Sequence, residues 1–252
     1  MLGKTMETLG ADEAAVIARD ASYRAGGYRS FEYATFTAAF GEVTALLGAD
    51  AAAPRDLALA CAGVVRPSEG SLSVVGVEIA SGERLTRGLA GVGVFSGMLD
   101  VSPELTVEET VRREFRLRRA GEVDVLPYLA KHGIATHAEH VVSSLEPAAR
   151  ARLSGAVACA GGVRIASLDL DDPFIGGMST SAARDIVEGL RAFAEQHAVC
   201  IVVATRDADI ASACDEAYAL DFASEEELRA KTRAVRGTRF RKGPALIEVG
   251  AV

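Results

Sequence analysis

The sequence predicts an α/β fold with a mostly parallel sheet, and three features of the chain support this prediction. Short apolar runs typical of buried strands alternate with amphipathic segments of helical length, the pattern of successive strand–helix–strand units. The 252 residues, 49% hydrophobic and 25% charged, suffice for one large or two small domains with a substantial core. A largely helical block over residues 106–160 interrupts the alternation, which indicates an inserted helical subdomain.

The N-terminal part predicts a smaller antiparallel β subdomain. Residues 14–18, 31–33 and 35–37 have the composition of short strands, and the two glycines at 26 and 27 mark a turn between them. We expect residues 1–12 to form a flexible leader, residues 13–222 the main unit with its helical subdomain at about 98–155, and residues 223–252 a polar C-terminal extension.

The remaining elements follow from apolar runs and turn residues. Strands are predicted at residues 43–47, 71–75, 77–80, 89–95, 163–170, 199–204 and 217–220, and helices at residues 57–63 and 181–197. Thr106 and Glu109 have the spacing of a capping box, so a helix is expected to begin after Thr106.

The stretch over residues 42–70 has the outline of a phosphate-binding loop: an apolar strand, a tight loop and a helix. Against the pattern G-x-x-x-x-G-K-[ST], Gly48 provides the first glycine, while Ala53, Pro54 and Arg55 replace the second glycine, the lysine and the hydroxyl. Pro54 supplies neither a cation nor an N–H group, although it suits the first turn of a helix. An ordinary strand–turn–helix corner, with Pro54 at its first helical position, is therefore the favoured local interpretation.

The charge of this loop also opposes phosphate binding. Asp50 and Asp56 place carboxylates where the phosphates of a nucleotide would lie, and only Arg55 opposes them.

Composition excludes several classes of function. A net charge of −8 argues against general nucleic-acid affinity, which depends on neutralising phosphates. The four cysteines lack CxxC spacing, so we expect buried thiols rather than disulfides or zinc. No run of 18 uncharged apolar residues occurs, which predicts no direct membrane insertion. We expect a cytoplasmic protein that reaches the inner face of the cell membrane only through a partner.

Over roughly residues 14–222 the chain resembles the ATP-binding cassette (ABC) nucleotide-binding domain of transporters, which has a P-loop NTPase fold. The segment GEVTALLG at 41–48 looks like the strand that leads into the Walker A loop, and AGVVRPSEG at 62–70 matches the family's A-G-x-x-x-P-x-x-G turn. LTVEE at 105–109 looks like the start of its helical subdomain, and DDP at 171–173 like the family's Asp-Glu-Pro after the Walker B strand.

This resemblance assigns positions to the family's functional residues. Ser96, or Gly97 in a frame shifted by one, stands where a glutamine senses Mg²⁺ and the membrane partner. Asp171 matches the Walker B aspartate, a weak Mg²⁺ ligand that would act only with bound nucleotide. Asp172 replaces the catalytic glutamate and is one methylene shorter, and Arg206 replaces the switch histidine.

The family's LSGGQ signature, which binds the nucleotide of the opposite subunit, falls at residues 145–149. Only Leu145 is kept, and Glu146 and Pro147 take the next two positions. Both halves of the ATP site are therefore altered. The resemblance implies a pseudo-ATPase, for which neither a cofactor nor intrinsic ATP hydrolysis is expected. Its implied role is that of a scaffold or regulatory subunit. Its implied partners are a transmembrane transporter subunit, another ABC-type subunit, or both.

Two further interpretations stay open. In the first, a divergent ATP-binding subunit holds ATP and Mg²⁺ through Arg55 or Arg206 together with Asp171, since a guanidinium can bind phosphate. In the second, another small molecule binds in the same crevice, for which the sequence gives no specific sign.

Overall fold

The computed structural model describes residues 14–25, 28–79, 85, 88–220 and 240–242. The expected leader at 1–12 and the expected extension at 223–252, apart from residues 240–242, lie outside the described residues. The described elements, in chain order, are β1 (Ala14–Ala25), β2 (Tyr28–Ala39), β3 (Val43–Leu47), α1 (Ala52–Cys61), β4 (Glu69–Val74), β5 (Val77–Glu78), β6 (Ala90–Val92), α2 (Val107–Leu117), α3 (Val125–Lys131), two 3₁₀ helices (Ala135–His137 and Val142–Ser144), α4 (Pro147–Cys159), β7 (Ile165–Asp169), α5 (Thr180–His197), β8 (Cys200–Thr205), α6 (Ala208–Ala213), β9 (Glu216–Ala219) and β10 (Phe240–Lys242).

Two sheets form the framework, which confirms the predicted fold class. The larger sheet has six strands in the order β10-β9-β3-β8-β7-β6, and all of its recorded pairings are parallel. The smaller sheet is antiparallel in the order β2-β1-β4-β5. Strand β10 extends the parallel sheet beside β9, an element that the sequence pattern did not predict.

The prediction of short N-terminal strands was wrong, because β1 and β2 are continuous hydrogen-bonded strands of 12 residues each. Their pairing shifts register between Ala18 and Ala21. Asp20 and Tyr33 adopt positive φ angles of 49° and 52°. Such irregularities interrupt the apolar–polar alternation on which a strand prediction depends, although the ladder continues past them.

Helix α1 lies between the two sheets and is buried along most of its length. Leu57, Leu59 and Cys61 belong to a core cluster that also contains residues of β1, β2, β4 and β8. The predicted start at residue 57 was wrong, since α1 begins at Ala52. Pro54 is consequently the third helical residue and not the first, but it still lies in the first turn, where its missing N–H removes no intrahelical bond.

The opposite face of the parallel sheet packs against α5 and α6, and α4 joins it to the helical block. The capping box is confirmed: the Thr106 hydroxyl accepts from Glu109 N–H, while the Glu109 carboxylate accepts from Thr106 N–H. Helix α4 ends at Cys159, close to the end of the helical block predicted over residues 106–160.

The end of β7 also differs from the prediction. The strand ends at Asp169, so Asp171 lies two residues beyond it and not at the strand terminus. Strands β3, β7 and β8 are adjacent and parallel, so their carboxyl ends meet at one edge of the sheet. In open α/β sheets this edge is where ligands usually bind.

Candidate functional site

The loop after β3 binds one of its own carboxylates. Asp50 Oδ1 accepts hydrogen bonds from the N–H groups of Ala52 at 2.8 Å and Ala53 at 3.2 Å. These are the first N–H groups of α1, which have no intrahelical acceptor and would otherwise be free for an anion. Asp56, one turn later, forms no ion pair with any residue that the structure describes.

Gly48 allows the loop to turn back closely on α1. A Cβ atom at this position would lie 2.6 Å from Pro54 Cδ and 2.9 Å from the Asp50 carbonyl oxygen. The Gly48 N–H donates to the Thr205 carbonyl of β8 at 3.2 Å, which fixes the loop to the neighbouring strand. The glycine that sequence analysis placed at the start of the loop is thus required by close packing around Pro54.

Arg55 is the centre of a buried ion cluster at the carboxyl edge of the sheet. Its Nη1 lies 3.0 Å from Asp172 Oδ2 and 3.6 Å from Asp169 Oδ2. Its Nη2 donates to the Ser96 carbonyl at 2.8 Å, and its guanidinium carbon lies 5.4 Å from the Phe95 ring centroid. We refer to Arg55, Ser96, Asp169 and Asp172 as the Arg55 cluster.

Asp172 is the most completely bonded carboxylate of the cluster. Its side chain is fully buried, and Oδ2 accepts from Arg55 and from the Ser96 N–H at 2.8 Å. Oδ1 accepts from the Ser96 hydroxyl and from the Phe174 N–H at 2.9 Å. Both oxygens are therefore committed to donors of the chain itself. The structure places Ser96, and not Gly97, against Asp172.

Sequence analysis missed Asp169, the third charged member of the cluster. Its side chain is 5% exposed, and burial raises its pKa to about 7 despite the hydrogen bond from Asp171 N–H. The nearby Asp172 carboxylate raises the pKa further, whereas Arg55 lowers it. The signal was present in the sequence as an acidic residue at the end of a largely apolar strand, a position that rarely carries a buried charge without a partner.

Asp171 and Arg206 form a separate, more exposed pair. The Arg206 backbone N–H donates to Asp171 Oδ2, and the guanidinium Nε lies 3.6 Å from the same oxygen. The Arg206 side chain is 53% exposed, in contrast to 21% for Arg55. The loops after β7 and β8 therefore bring Asp171 and Arg206 together next to the Arg55 cluster, of which neither residue is a member.

Glu146 and Pro147 lie elsewhere in the chain, at the start of α4. The Glu146 carboxylate caps this helix, accepting from Ala148 N–H at 3.1 Å and Ala149 N–H at 3.0 Å. Pro147 occupies the first helical position, where its missing N–H leaves no donor unpaired. Within one chain these two residues do not contact the Arg55 cluster.

Arg150 connects α4 to the loop that contains Asp172. Its Nη1 donates to the Phe174 carbonyl at 3.2 Å, and its guanidinium carbon lies 5.8 Å from the Phe174 ring centroid. The Phe174 N–H in turn donates to Asp172. A continuous series of polar contacts therefore runs from Arg55 to the helical block.

Sequence comparisons with protein-family models and with curated proteins find no match. Solved structures do match. MJ0796, described as a bacterial ABC transporter cassette, superposes with a TM-score of 0.65 at 16% identity, over 81% of this chain and 94% of the other. CbiO1 from Clostridium perfringens, described as part of the ABC transporter complex cbiONQ, gives 0.64 at 20% identity, over 82% and 85%. MJ1267, an ATP-binding cassette in its ADP conformation, gives 0.64 at 13%, over 88% and 95%.

The chain has the fold of an ABC transporter ATP-binding cassette. At identities of 13–20% the likeness concerns the fold alone. Within the cassette fold, the Arg55 cluster and the Asp50 loop occupy the carboxyl edge of the parallel sheet. Among the described residues, no helix combines the length and the apolar character that crossing a membrane requires.

Proposed function

We propose that this cassette-fold chain is a pseudo-ATPase that acts through protein contacts, as a scaffold or regulatory subunit of a membrane transport system. The observation that carries the proposal is the position of the Arg55 guanidinium. It lies 3.0 Å from Asp172 and 2.8 Å from the Ser96 carbonyl, at the position where the resemblance places the hydroxyl ligand of Mg²⁺. The chain thus provides a cation of its own at that position.

The residues of the Arg55 cluster do not suit Mg²⁺. Arginine stays protonated at every physiological pH and repels a second cation, and both Asp172 oxygens already accept two hydrogen bonds each. Magnesium prefers several oxygen ligands in octahedral geometry, usually including substrate phosphates and water. A metal ion would have to displace the guanidinium before reaching Asp172.

The loop after β3 is equally unsuited to a triphosphate. The two N–H groups at the start of α1 already donate to Asp50, so a phosphate would compete with a carboxylate tethered beside them. The Asp50 and Asp56 charges would also repel it, and Pro54 offers no ammonium group in compensation. Losing both the metal and the phosphate donors removes the interactions on which phosphoryl transfer depends.

The start of α4 supports the same conclusion for a partner's nucleotide. In the related family this helix would face the γ-phosphate bound by the opposite subunit. Here Glu146 occupies the N–H groups of Ala148 and Ala149, and its negative charge would lie closest to that phosphate. A complex with a normal ABC-type subunit would therefore contain no complete ATP site, since each site would include one altered half from this chain.

A surface beside Ser96 suits contact with a membrane partner. Val64, Met98 and Leu99 are 47%, 52% and 40% exposed, and Val64 and Leu99 line a cleft of about 260 Å³ between β6 and α2. In ABC cassettes, which this chain resembles, the loop after the strand that corresponds to β6 senses the membrane subunit. Exposed apolar side chains grouped in this way are typical of protein interaction sites.

One alternative keeps specific support. Arg206 is more exposed than Arg55, and among the described residues its one ionic contact is with Asp171 at 3.6 Å. A nucleotide phosphate could recruit this guanidinium without breaking the Arg55 cluster. This alternative predicts ATP binding that depends on Arg206.

Calorimetric titration of Mg-ATP to millimolar concentration tests these functions. We expect neither binding heat nor a shift in melting temperature for the wild-type chain. Binding with a Kd below about 100 μM, or about 5.5 kcal/mol, would overturn the proposal. Loss of that binding in Arg206→Ala, but not in Arg113→Ala on α2, would then support the alternative.

The proposed contact surface needs its own test. Leu99→Glu should reduce co-sedimentation of the chain with membranes from the host that expresses its transporter partner, because it places a charge on the apolar surface. Leu126→Glu, at a residue 49% exposed on α3, is the matched control. Equal sedimentation of both variants and the wild type would contradict this surface as the contact site.

A further inference from the structure

A second cleft, of about 500 Å³, lies between α3, the end of α5 and the turn that joins α4 to β7. This volume falls within the range of small-molecule sites in proteins. The cleft lies at the amino ends of β7 and β8, where Val163 and Val199 contribute to its wall. The Arg55 cluster lies at the carboxyl ends of the same strands, so the two sites are separate.

Aromatic side chains form much of the cleft wall. Phe115 and Tyr128 meet edge to face with ring centroids 4.9 Å apart, and Tyr128 meets Phe193 edge to face at 6.1 Å. The Phe193 ring lies 4.4 Å from the His197 ring. The Tyr128 hydroxyl donates to the Ala156 carbonyl at 2.6 Å, which holds its ring in place. The wall is thus a preformed apolar surface on which a flat or short acyl group can pack.

Basic groups surround this apolar wall. Lys131 and Arg164 line the cleft together with His197, whereas Asp124 is the one carboxylate among its described lining residues. Asp124 caps α3 by accepting from Leu126 N–H at 3.3 Å, so its carboxylate already has a local donor. Lys131 forms no ion pair with any described residue. The cleft therefore has a local excess of positive charge, although the whole chain carries −8.

The Lys131 ammonium and the His197 ring are in direct contact. Lys131 Nζ lies 3.2 Å from His197 Nε2. Desolvation, and then the charge of Lys131, lower the pKa of His197, which favours a neutral ring that accepts the hydrogen bond. The ammonium is thereby oriented at the cleft while two of its three N–H donors stay available.

The turn after α4 adds one backbone donor. Gly161 and Gly162 both line the cleft, with φ angles of +79° and +75°. The Gly161 N–H donates to no acceptor among the described residues, whereas the Gly162 N–H closes the turn that follows α4. An unpaired N–H group in a cleft that also contains an ammonium suits an anionic oxygen acceptor.

We propose that this cleft binds a small organic anion, with an aromatic or short acyl body against Phe115, Tyr128 and Phe193 and a carboxylate or similar head group at Lys131 and Arg164. Such a ligand would contact α3 of the helical block and α5 of the sheet layer at once. Its binding would therefore stabilise one arrangement of the helical block against the sheet, at a place that no nucleotide would occupy.

The test uses 1-anilinonaphthalene-8-sulfonate, a fluorescent aromatic anion, titrated into the full-length folded chain. We expect saturable one-to-one binding with a Kd of about 10–100 μM. Lys131→Met should weaken it about tenfold by removing a charge-assisted contact while keeping the aliphatic stem. Val123→Trp should abolish it by filling the cleft. Arg113→Met, which removes a charge from an exposed position on α2, should leave it unchanged.

Competition defines the chemical class. 1-Naphthoate should displace the dye at concentrations at least about tenfold lower than neutral 1-naphthalenemethanol, because only the carboxylate pairs with the basic groups. Absence of saturable binding, equal Kd values in Lys131→Met and Arg113→Met, or equal competition by the acid and the alcohol would each overturn the proposal. Unchanged melting temperatures of the variants ensure that lost fluorescence reports the cleft and not unfolding. The titration uses no nucleotide, so its outcome is independent of the proposed pseudo-ATPase function.

Discussion

Arg55 Nη1 lies 3.0 Å from Asp172 Oδ2, and this contact joins the first turn of α1 to the loop after β7. The two residues are 117 positions apart in the chain. Their side chains are 21% and 0% exposed, so each depends on the other for charge compensation in the protein interior.

Arg55→Ala should destabilise the fold strongly, because it leaves Asp172 buried without its cation. We expect a loss of about 3–5 kcal/mol in the free energy of unfolding, measured by urea denaturation at pH 7.5. The double variant Arg55→Ala/Asp172→Asn should lose less than the sum of the single variants, since each removes the same interaction. Arg206→Ala, in the exposed pair with Asp171, should cost at most about 1 kcal/mol. Similar losses for the two arginines would contradict the assigned burial of the Arg55 cluster.

Asp169 should make stability fall as the pH rises. Its pKa is raised from 3.8 when unfolded to about 7 when folded, so the folded state binds the proton more tightly between these values. The contribution of this proton to the free energy of unfolding is fully present below pH 3.8 and is lost as the pH rises through about 7. Asp169→Asn keeps a neutral side chain at every pH. The difference in unfolding free energy between the variant and the wild type should therefore change by about 2–4 kcal/mol in favour of the variant between pH 5 and pH 8.

The control for this pH dependence is Asp185→Asn, on the exposed face of α5. Its unfolding free energy relative to the wild type should stay constant between the two pH values. A constant difference for Asp169→Asn as well would show that the carboxylate is ionised throughout this range.

Gly48→Ala should destabilise the loop after β3. The new Cβ would lie 2.6 Å from Pro54 Cδ, so the loop or the first turn of α1 must shift, at a cost of about 1–3 kcal/mol. Gly177→Ala is the matched control, because a Cβ there would meet nothing within 4 Å. Melting temperatures measure both variants. Adding Pro54→Ala to Gly48→Ala should recover part of the loss, and an equal loss in the two glycine variants would refute the close approach.

Arg118→Ala should loosen the junction between α4 and β7. The buried guanidinium donates to the carbonyls of Val157 at 2.9 Å and Ala158 at 3.0 Å, and also to that of Ala160. Removing it takes this donor from the Ala158 and Ala160 carbonyls, while the Val157 carbonyl keeps the Ala160 N–H at 3.4 Å, and we expect a loss of about 2–3 kcal/mol in unfolding free energy.

Arg116→Ala provides the comparison for Arg118, since Arg116 is exposed in the last turn of α2, two residues before Arg118. It should change stability by less than about 0.5 kcal/mol. Hydrogen exchange should increase at the end of α4 in the Arg118 variant and not in the Arg116 variant. Unchanged exchange there would mean that other donors replace the guanidinium.

Features encoded within a few residues were predictable from the sequence. Strand β3 is a continuous apolar run between turn residues, and the Thr106–Glu109 capping box needs only a three-residue spacing. The alternation of strands with helices was enough for the fold class, because parallel strands require crossover helices.

Features created by distant contacts were not predictable in this way. Asp169 acquires its raised pKa mainly from burial, which is created by the packing of distant segments, while Arg55, 114 positions earlier in the chain, lowers the pKa in part. Asp50 was identified as unfavourable for phosphate and Glu146 as a replacement in the signature, but the sequence did not reveal that each binds helix N–H groups. The start of α1 depends on the Asp50 interaction, so its predicted boundary was wrong by five residues.

The contact of Arg55 with Asp172 has a consequence for how this subunit would respond to the cell. A side-chain cation is covalently attached, so its local concentration does not vary with the supply of magnesium or with the ratio of ATP to ADP. The charge compensation of Asp172 by Arg55 therefore depends on neither of these quantities. Under the proposed function, the subunit does not sense magnesium or the ratio of ATP to ADP. Any change in its conformation must be imposed by what binds to it.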